Sequence, residues 1–177
     1  DAVVPRVGAG RGAAFANACV RQLEAQGSVA LNSSEGLERL RNPVLVAQLL
    51  DRVRLASAAG RLSDAHAGGD DDAEGASAVP VLRCLVVGGR VVAIAEARGR
   101  ELVADRASVG GQVPKMARRA ALTLGLGLAA VDIDGARVAG VSALPALAAF
   151  QSVCGIDAAA VVLSEIEARV RGGGAAR

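Results

Sequence analysis

Asp132 and Asp134 stand two residues apart in the segment Gly127–Pro145, which reads as strand, tight turn, strand and then a proline-led helix. Residues i and i+2 of a strand share a face, so the two carboxylates are candidates for holding a cation. One carboxylate rarely holds magnesium without nucleotide phosphates to complete the octahedron. Asp-Gly at a hairpin is also ordinary turn chemistry. Asp132 is therefore the candidate metal ligand, and a structural carboxylate is the competing reading.

Gly8-Ala-Gly-Arg-Gly-Ala13, between a strand and a helix, matches the looser dinucleotide pattern G-x-G-x-x-A. Gly8, Gly10 and Gly12 would let a pyrophosphate approach the helix N-terminus. Asn32 stands at the end of the next strand, where a ribose-binding acid is expected, which favours a plain tight turn. Asp70-Asp-Asp72 lacks the alternating oxygens and terminal Glu of a calcium loop and reads as solvated linker. His66 is the only histidine and lies in a Gly/Asp-rich loop, so it offers little to a Ser-His-Asp or Cys-His catalyst.

The 177 residues suit one ordinary domain or two small lobes. A formal net charge of +2 and the absence of Tyr and Trp argue against nucleic acid, because neither a strong positive field nor a stacking platform is present. Lys115 is the only lysine. Chemistry that needs two lysines on phosphates would have to use Arg, which is geometrically different. Cys19, Cys84 and Cys154 each lie in an apolar run without metal-ligand spacing, and are expected to be buried, reduced thiols in an intracellular reducing compartment, cytoplasm or organelle matrix. No apolar run reaches the roughly 18 residues that span a bilayer, and no signal peptide is visible. The chain opens on a strand at Asp1 without Met, which an upstream segment would explain.

Several elements must position these residues. Residues 1–7 read as a buried strand. Phe15, Cys19, Val20 and Leu23 recur at helical spacing as far as Gln26. A short strand follows at 28–31. Ser34 is the expected cap of a helix through Leu37 and Leu40, and Pro43 opens another with Leu45, Val46, Leu49, Leu50 and Val53. Residues 56–80, rich in Ala, Gly, Ser and Asp, read as a flexible linker. Gly88-Gly89 joins strands 81–87 and 90–95 in a hairpin, as Asp134-Gly135 joins 129–133 and 137–142. A polar stretch reaches Gln112 before a helix at 114–124 with Met116, Ala120 and Leu124 on one face. Helices at 145–153 and 157–170 precede a Gly-rich tail. The sum is mixed α/β with roughly six strands and no pure βαβ alternation.

Two stretches resemble the RimK-type ATP-grasp glutamate ligases. The first is Asp1-Ala-Val-Val-Pro-Arg-Val-Gly8, followed by Val20-Arg-Gln-Leu-Glu24 and Leu31-Asn-Ser-Ser34. The second runs from Leu82-Arg-Cys-Leu-Val-Val-Gly-Gly-Arg-Val-Val92 to the helix at Asp157, and includes Gly110-Gly111, Ala121-Leu-Thr-Leu-Gly-Leu126, Val131-Asp-Ile133 and Gly155-Ile-Asp157. The resemblance implies an ATP-dependent carboxylate–amine ligase, in which ATP makes an acyl phosphate that an amine then displaces. Such chemistry is mostly positioning and neutralisation of oxygen charge. By the resemblance, Asp132 matches the first magnesium-binding acid, while Arg83 and Arg98 match basic positions. Gly140 stands where a metal-binding Glu is expected and Ser142 where a metal-binding Asn is. Leu82 replaces an acid, Ala104 an Arg and Arg106 an Asn. The family also places a β-rich lobe between Leu55 and Val81, with a phosphate lysine, a lid loop and the adenine hinge. Here that interval is the linker.

The resulting expectation is an α/β chain (mixed α+β): a partial pre-ATP-grasp segment at 1–55, a linker in place of the lid lobe at 56–80, an ATP-grasp-like core lobe at 81–171 and a tail at 172–177. Its expected role is that of a degenerate, non-catalytic protein that joins a protein partner or homo-oligomer, with no cofactor, nucleic acid or membrane span. The alternatives are an active glutamate ligase using ATP and Mg through Arg83, Arg98, Asp132 and Lys115, and a nucleotide-binding regulator using the Gly8–Gly12 turn.

Overall fold

A computed structural model describes residues 1–6, 12–57, 80–98, 101–104 and 111–174. The mixed α/β expectation holds. The strands are β1 (Ala2–Val3), β2 (Val29–Ala30), β3 (Ala56–Ser57), β4 (Val81–Val87), β5 (Arg90–Arg98), β6 (Glu101–Ala104), β7 (Leu128–Asp134) and β8 (Arg137–Ser142). The helices are α1 (Ala13–Ala25), α2 (Ser34–Leu40), α3 (Pro43–Arg52), α4 (Gln112–Leu124), α5 (Leu147–Cys154) and α6 (Ala158–Gly174). Six strands form one sheet in the order β3-β8-β7-β4-β5-β6, and β1 and β2 form a separate parallel pair.

Both faces of the large sheet are covered. Cys84, Val86, Ala129, Val131, Ile133 and Val138 point towards α4, whose small residues Ala117, Ala120 and Ala121 allow a close approach, with Leu124 filling behind them. Val20, Leu37, Val46 and Leu50 of α1–α3 join the same core. The alternate residues Leu85, Val87, Ala93, Ala95 and Leu128 point the other way, against Phe150 of α5 and Ala158 and Val162 of α6. Period-2 alternation in β4 and β7 therefore splits the apolar residues between two cores. The β4–β5 turn requires glycine: Gly88 and Gly89 have φ of +58° and +72°, the left-handed region that a two-residue hairpin turn uses.

Several expectations are corrected. Only Ala2 and Val3 of the first strand are paired, and both keep solvent contact, because their sole partner β2 is two residues long. The cap of α2 is Ser33, whose Oγ accepts from Gly36 N at 3.1 Å, and Ser34 is the first helical residue. The sheet gains two strands that were not expected. β6 lies in the polar stretch, and β3, at the start of the supposed linker, pairs in parallel with β8. Residues 58–79 of that linker lie outside the described residues. α6 runs on to Gly174, into the Gly-rich end.

The α1 face is turned from the expectation, which holds for Val20 but not for Phe15, Cys19 or Leu23. Ala13, Asn17 and Val20 are buried, while Cys19 is exposed, Leu23 sits just above a third exposed and Phe15 is 76% exposed. Hydrogen bonds to α2 decide the orientation. Asn17 Nδ2 donates to Ser34 O (3.1 Å) and Glu38 Oε2 (2.9 Å), and Glu24 accepts from Ser34 N (3.0 Å) and Ser34 Oγ (2.5 Å). A buried amide or carboxylate without these partners would carry a desolvation cost, and Asn17 Oδ1 is the one buried side-chain polar atom among the described residues that has none.

Candidate functional site

β4 and β7 pair antiparallel with Arg83 directly opposite Asp132. The guanidinium meets the carboxylate edge-on: Nε donates to Oδ1 at 2.7 Å and Nη2 to Oδ2 at 2.8 Å. The side chains retain only 22% and 17% of their exposure. A two-pronged ion pair of this kind, partly shielded from water, is among the stronger polar contacts a sheet can hold. It raises the Arg83 pKa, chiefly through the hydrogen bonds to Asp132, against the opposing effect of burial. Next to it, burial and the Asp132 charge push the Cys84 thiol up to about 12.

On the other side, β8 places Gly140 opposite Asp132. A Cβ built on Gly140 would sit 3.5 Å from Asp132 Oδ2, an ordinary contact distance. A side chain here would therefore touch the carboxylate, and glycine supplies none. Ser142, two residues on, has its Oγ accepting from Leu144 N at 3.1 Å. Asp134, on the Asp132 face, binds Arg137 Nη2 at 2.8 Å across the turn. Positions 132, 140 and 142, which the resemblance groups, do share one face, but the side chains present do not make a magnesium site. Both Asp132 oxygens are engaged, position 140 has no donor, and among the described residues no three His, Cys, Asp or Glu side chains group closely enough to hold a metal ion.

The other candidates are not brought to this place. Arg98 lies three residues beyond Ala95, the partner of Arg83, so the pleat turns it to the opposite sheet face. There it binds Glu96 Oε1 at 2.8 Å, which raises its pKa. Lys115 is exposed on α4, across the sheet from Arg83. Gly12 precedes α1 with φ −83°, and a Cβ there would meet nothing within 4 Å, so neither the backbone nor the packing demands glycine. Gly8, Gly10, Arg106, His66 and Asp70–Asp72 lie outside the described residues. An open groove of about 380 Å³ on α1–α3, lined by Arg21, Glu35, Glu38 and Arg39, does not include Arg83 or Asp132.

Sequence reasoning missed what Asn32 does. Its buried amide donates to Leu128 O (2.9 Å) and accepts from Leu128 N (2.8 Å), so it pins β2 to the start of β7. The polar residue at a strand end was visible, but the partner 96 residues away was not.

No family model matches the chain. It is similar to probable alpha-L-glutamate ligases. It is 35% identical over 117 residues to one from Xanthomonas oryzae pv. oryzae, taking in 56% of this chain and 37% of that protein. It is 28% identical over 238 residues to one from Xanthomonas euvesicatoria pv. vesicatoria, taking in 97% of this chain and 79% of that protein. The chain thus spans little more than a third of the first relative. The second alignment is longer than the chain itself, and the excess is sequence of the relative with no counterpart here. Among solved structures, the ATP-grasp ligase PsnB, in complex with a phosphomimetic variant of its minimal precursor, Mg and ADP, superposes with a TM-score of 0.66 at 18% identity, over 89% of this chain and 68% of that one. D-alanine-D-alanine ligase from Aeromonas hydrophila gives 0.60 at 16% identity, over 94% and 72%.

Proposed function

We propose, for a chain that belongs to the RimK-like ATP-grasp family, a non-catalytic role as a structural or interaction subunit of a larger protein assembly. The observation that carries this reading is the state of the one retained acid. Asp132 is closed off by Arg83, faces a glycine at 140, and lies on the opposite sheet face from Arg98. Phosphoryl transfer needs cations and donors gathered on the transferring oxygens. The described residues gather none of them on free side chains around Asp132. The surplus length of the longer alignment supports a segment present in the relative and missing here, and we place it at 56–80. We take the exposed Phe15, Cys19 and Leu23 on α1 as the candidate face for a protein partner. With its cysteines free thiols, the chain suits a reducing compartment. Among the described residues no helix is long and apolar enough to cross a membrane.

The decisive assay is ADP release from Mg-ATP in the presence of glutamate and carboxylate acceptors. Release at the rate of the buffer blank is expected. Release above it that vanishes in both Arg83→Met and Asp132→Asn would overturn the reading. A second reading, an active ATP-dependent carboxylate–amine ligase with a reorganised site, is favoured by similarity to a probable glutamate ligase along nearly the whole chain. It would need Arg83 to release Asp132 when nucleotide arrives.

A further inference from the structure

We infer that the Arg83 guanidinium is the resident counter-cation of Asp132, standing on this sheet face where a divalent ion would otherwise stand, so that the β4–β7–β8 surface is charge-complete and takes up no metal. On the non-catalytic reading, on which this rests, no phosphate reaches the site to draw the two side chains apart. A guanidinium offers a carboxylate two parallel N–H donors, and distances of 2.7 and 2.8 Å show that the fork is fully used. The adjoining carboxylate, Asp134, is bound to Arg137 at 2.8 Å. Among the described residues, Arg83 is matched to Asp132 and Arg137 to Asp134 on this face. A dication entering here would add charge that none of the described carboxylates is left to offset, and Gly140 contributes no further oxygen. Glycine at 140 then has a physical reason: an acid in contact with Asp132 would have to share one guanidinium.

The test combines Mn²⁺ titration, read by the loss of the free-ion paramagnetic signal, with urea unfolding in EDTA. The wild-type chain should bind no Mn²⁺ at millimolar concentration. Arg83→Met should lower the urea midpoint, and Arg83→Met/Asp132→Leu should regain at least half of that loss, because it removes the stranded charge. Arg83→Met/Gly140→Glu should take up Mn²⁺ and melt several degrees higher with it than without. Wild-type Mn²⁺ uptake that disappears in Asp132→Asn would overturn the inference. So would an Arg83→Met midpoint equal to wild type, or no Mn²⁺ uptake by Arg83→Met/Gly140→Glu. If Arg83→Met fails to fold, recovery of folding in Arg83→Met/Asp132→Leu carries the same expectation, and the wild-type titration stands without any variant. ADP release without Asp132-dependent Mn²⁺ uptake would remove the non-catalytic reading alone. Mn²⁺ uptake at Asp132 without ADP release would remove this inference alone.

Discussion

Replacing Asn32 by the acid that a ribose-binding site would carry should break the fold at a defined place. Asn32 is fully buried. In Asn32→Asp the oxygen facing Leu128 N keeps its 2.8 Å bond, but the oxygen replacing Nδ2 lies 2.9 Å from Leu128 O and 3.5 Å from Ala143 O, acceptor against acceptor. An uncompensated buried charge of this kind costs about 3–5 kcal/mol. Asn32→Ala strands the N–H and C=O of Leu128 instead, at about 1–3 kcal/mol each. Urea unfolding at pH 7 measures both. Burial against carbonyls favours the neutral form of the introduced carboxyl, so its folded pKa is raised. The stability of Asn32→Asp is therefore best at low pH and falls as pH rises past the ordinary carboxyl value of about 3.9. Asn32→Ala relative to wild type should show no such slope. If both variants unfold within about 1 kcal/mol of wild type, the amide is not the pin between β2 and β7.

Other expectations follow from the same contacts. Phe15→Ser should change stability by no more than about 0.5 kcal/mol, as for other surface sites, whereas Phe150→Ala should cost about 3–5 kcal/mol by opening a cavity between α5 and the sheet. A large loss at Phe15 would restore the α1 orientation drawn from periodicity. Native-state alkylation followed by peptide mapping should modify Cys19 first and leave Cys84 untouched until denaturant is added. Because the folded Cys84 pKa is raised to about 12 from 9.0, its proton is bound more tightly when folded. The stability it contributes is complete below pH 9 and drains away between 9 and 12, which alkaline unfolding curves of wild type and Cys84→Ala can compare. Gly127→Ala would put a methyl 2.0 Å from Leu31 O, a backbone atom, and should cost about 1–3 kcal/mol by forcing β2 and β7 apart.

Local chemistry made much of the architecture legible. Gly88-Gly89 and Asp134-Gly135 marked both hairpins and the strands they join, and Pro43 marked the start of α3. Pairing partners were not legible. Glu101–Ala104 has weak strand propensity and becomes β6 by pairing with Ala95–Arg98 on the edge of β5 that β4 leaves open. Phe15 and Cys19 matched a helical stripe, but Asn17 and Glu24, with partners in α2, set the rotation of α1. At the site, the matching of 132, 140 and 142 to a ligand set came from the family resemblance. The capture of Asp132 by Arg83, 49 residues away, depends on the β4–β7 register, and no local pattern encodes that.

The melting temperature of the wild-type chain with and without millimolar Mg-ATP, with MgCl₂ alone as reference, decides whether the chain takes up nucleotide. Nucleotide bound at a hundredfold excess over its dissociation constant would add about 2.7 kcal/mol, or roughly 5–10 °C for a chain of this size. No shift is expected. A rise of that order that is absent in Asp132→Asn would contradict the non-catalytic reading.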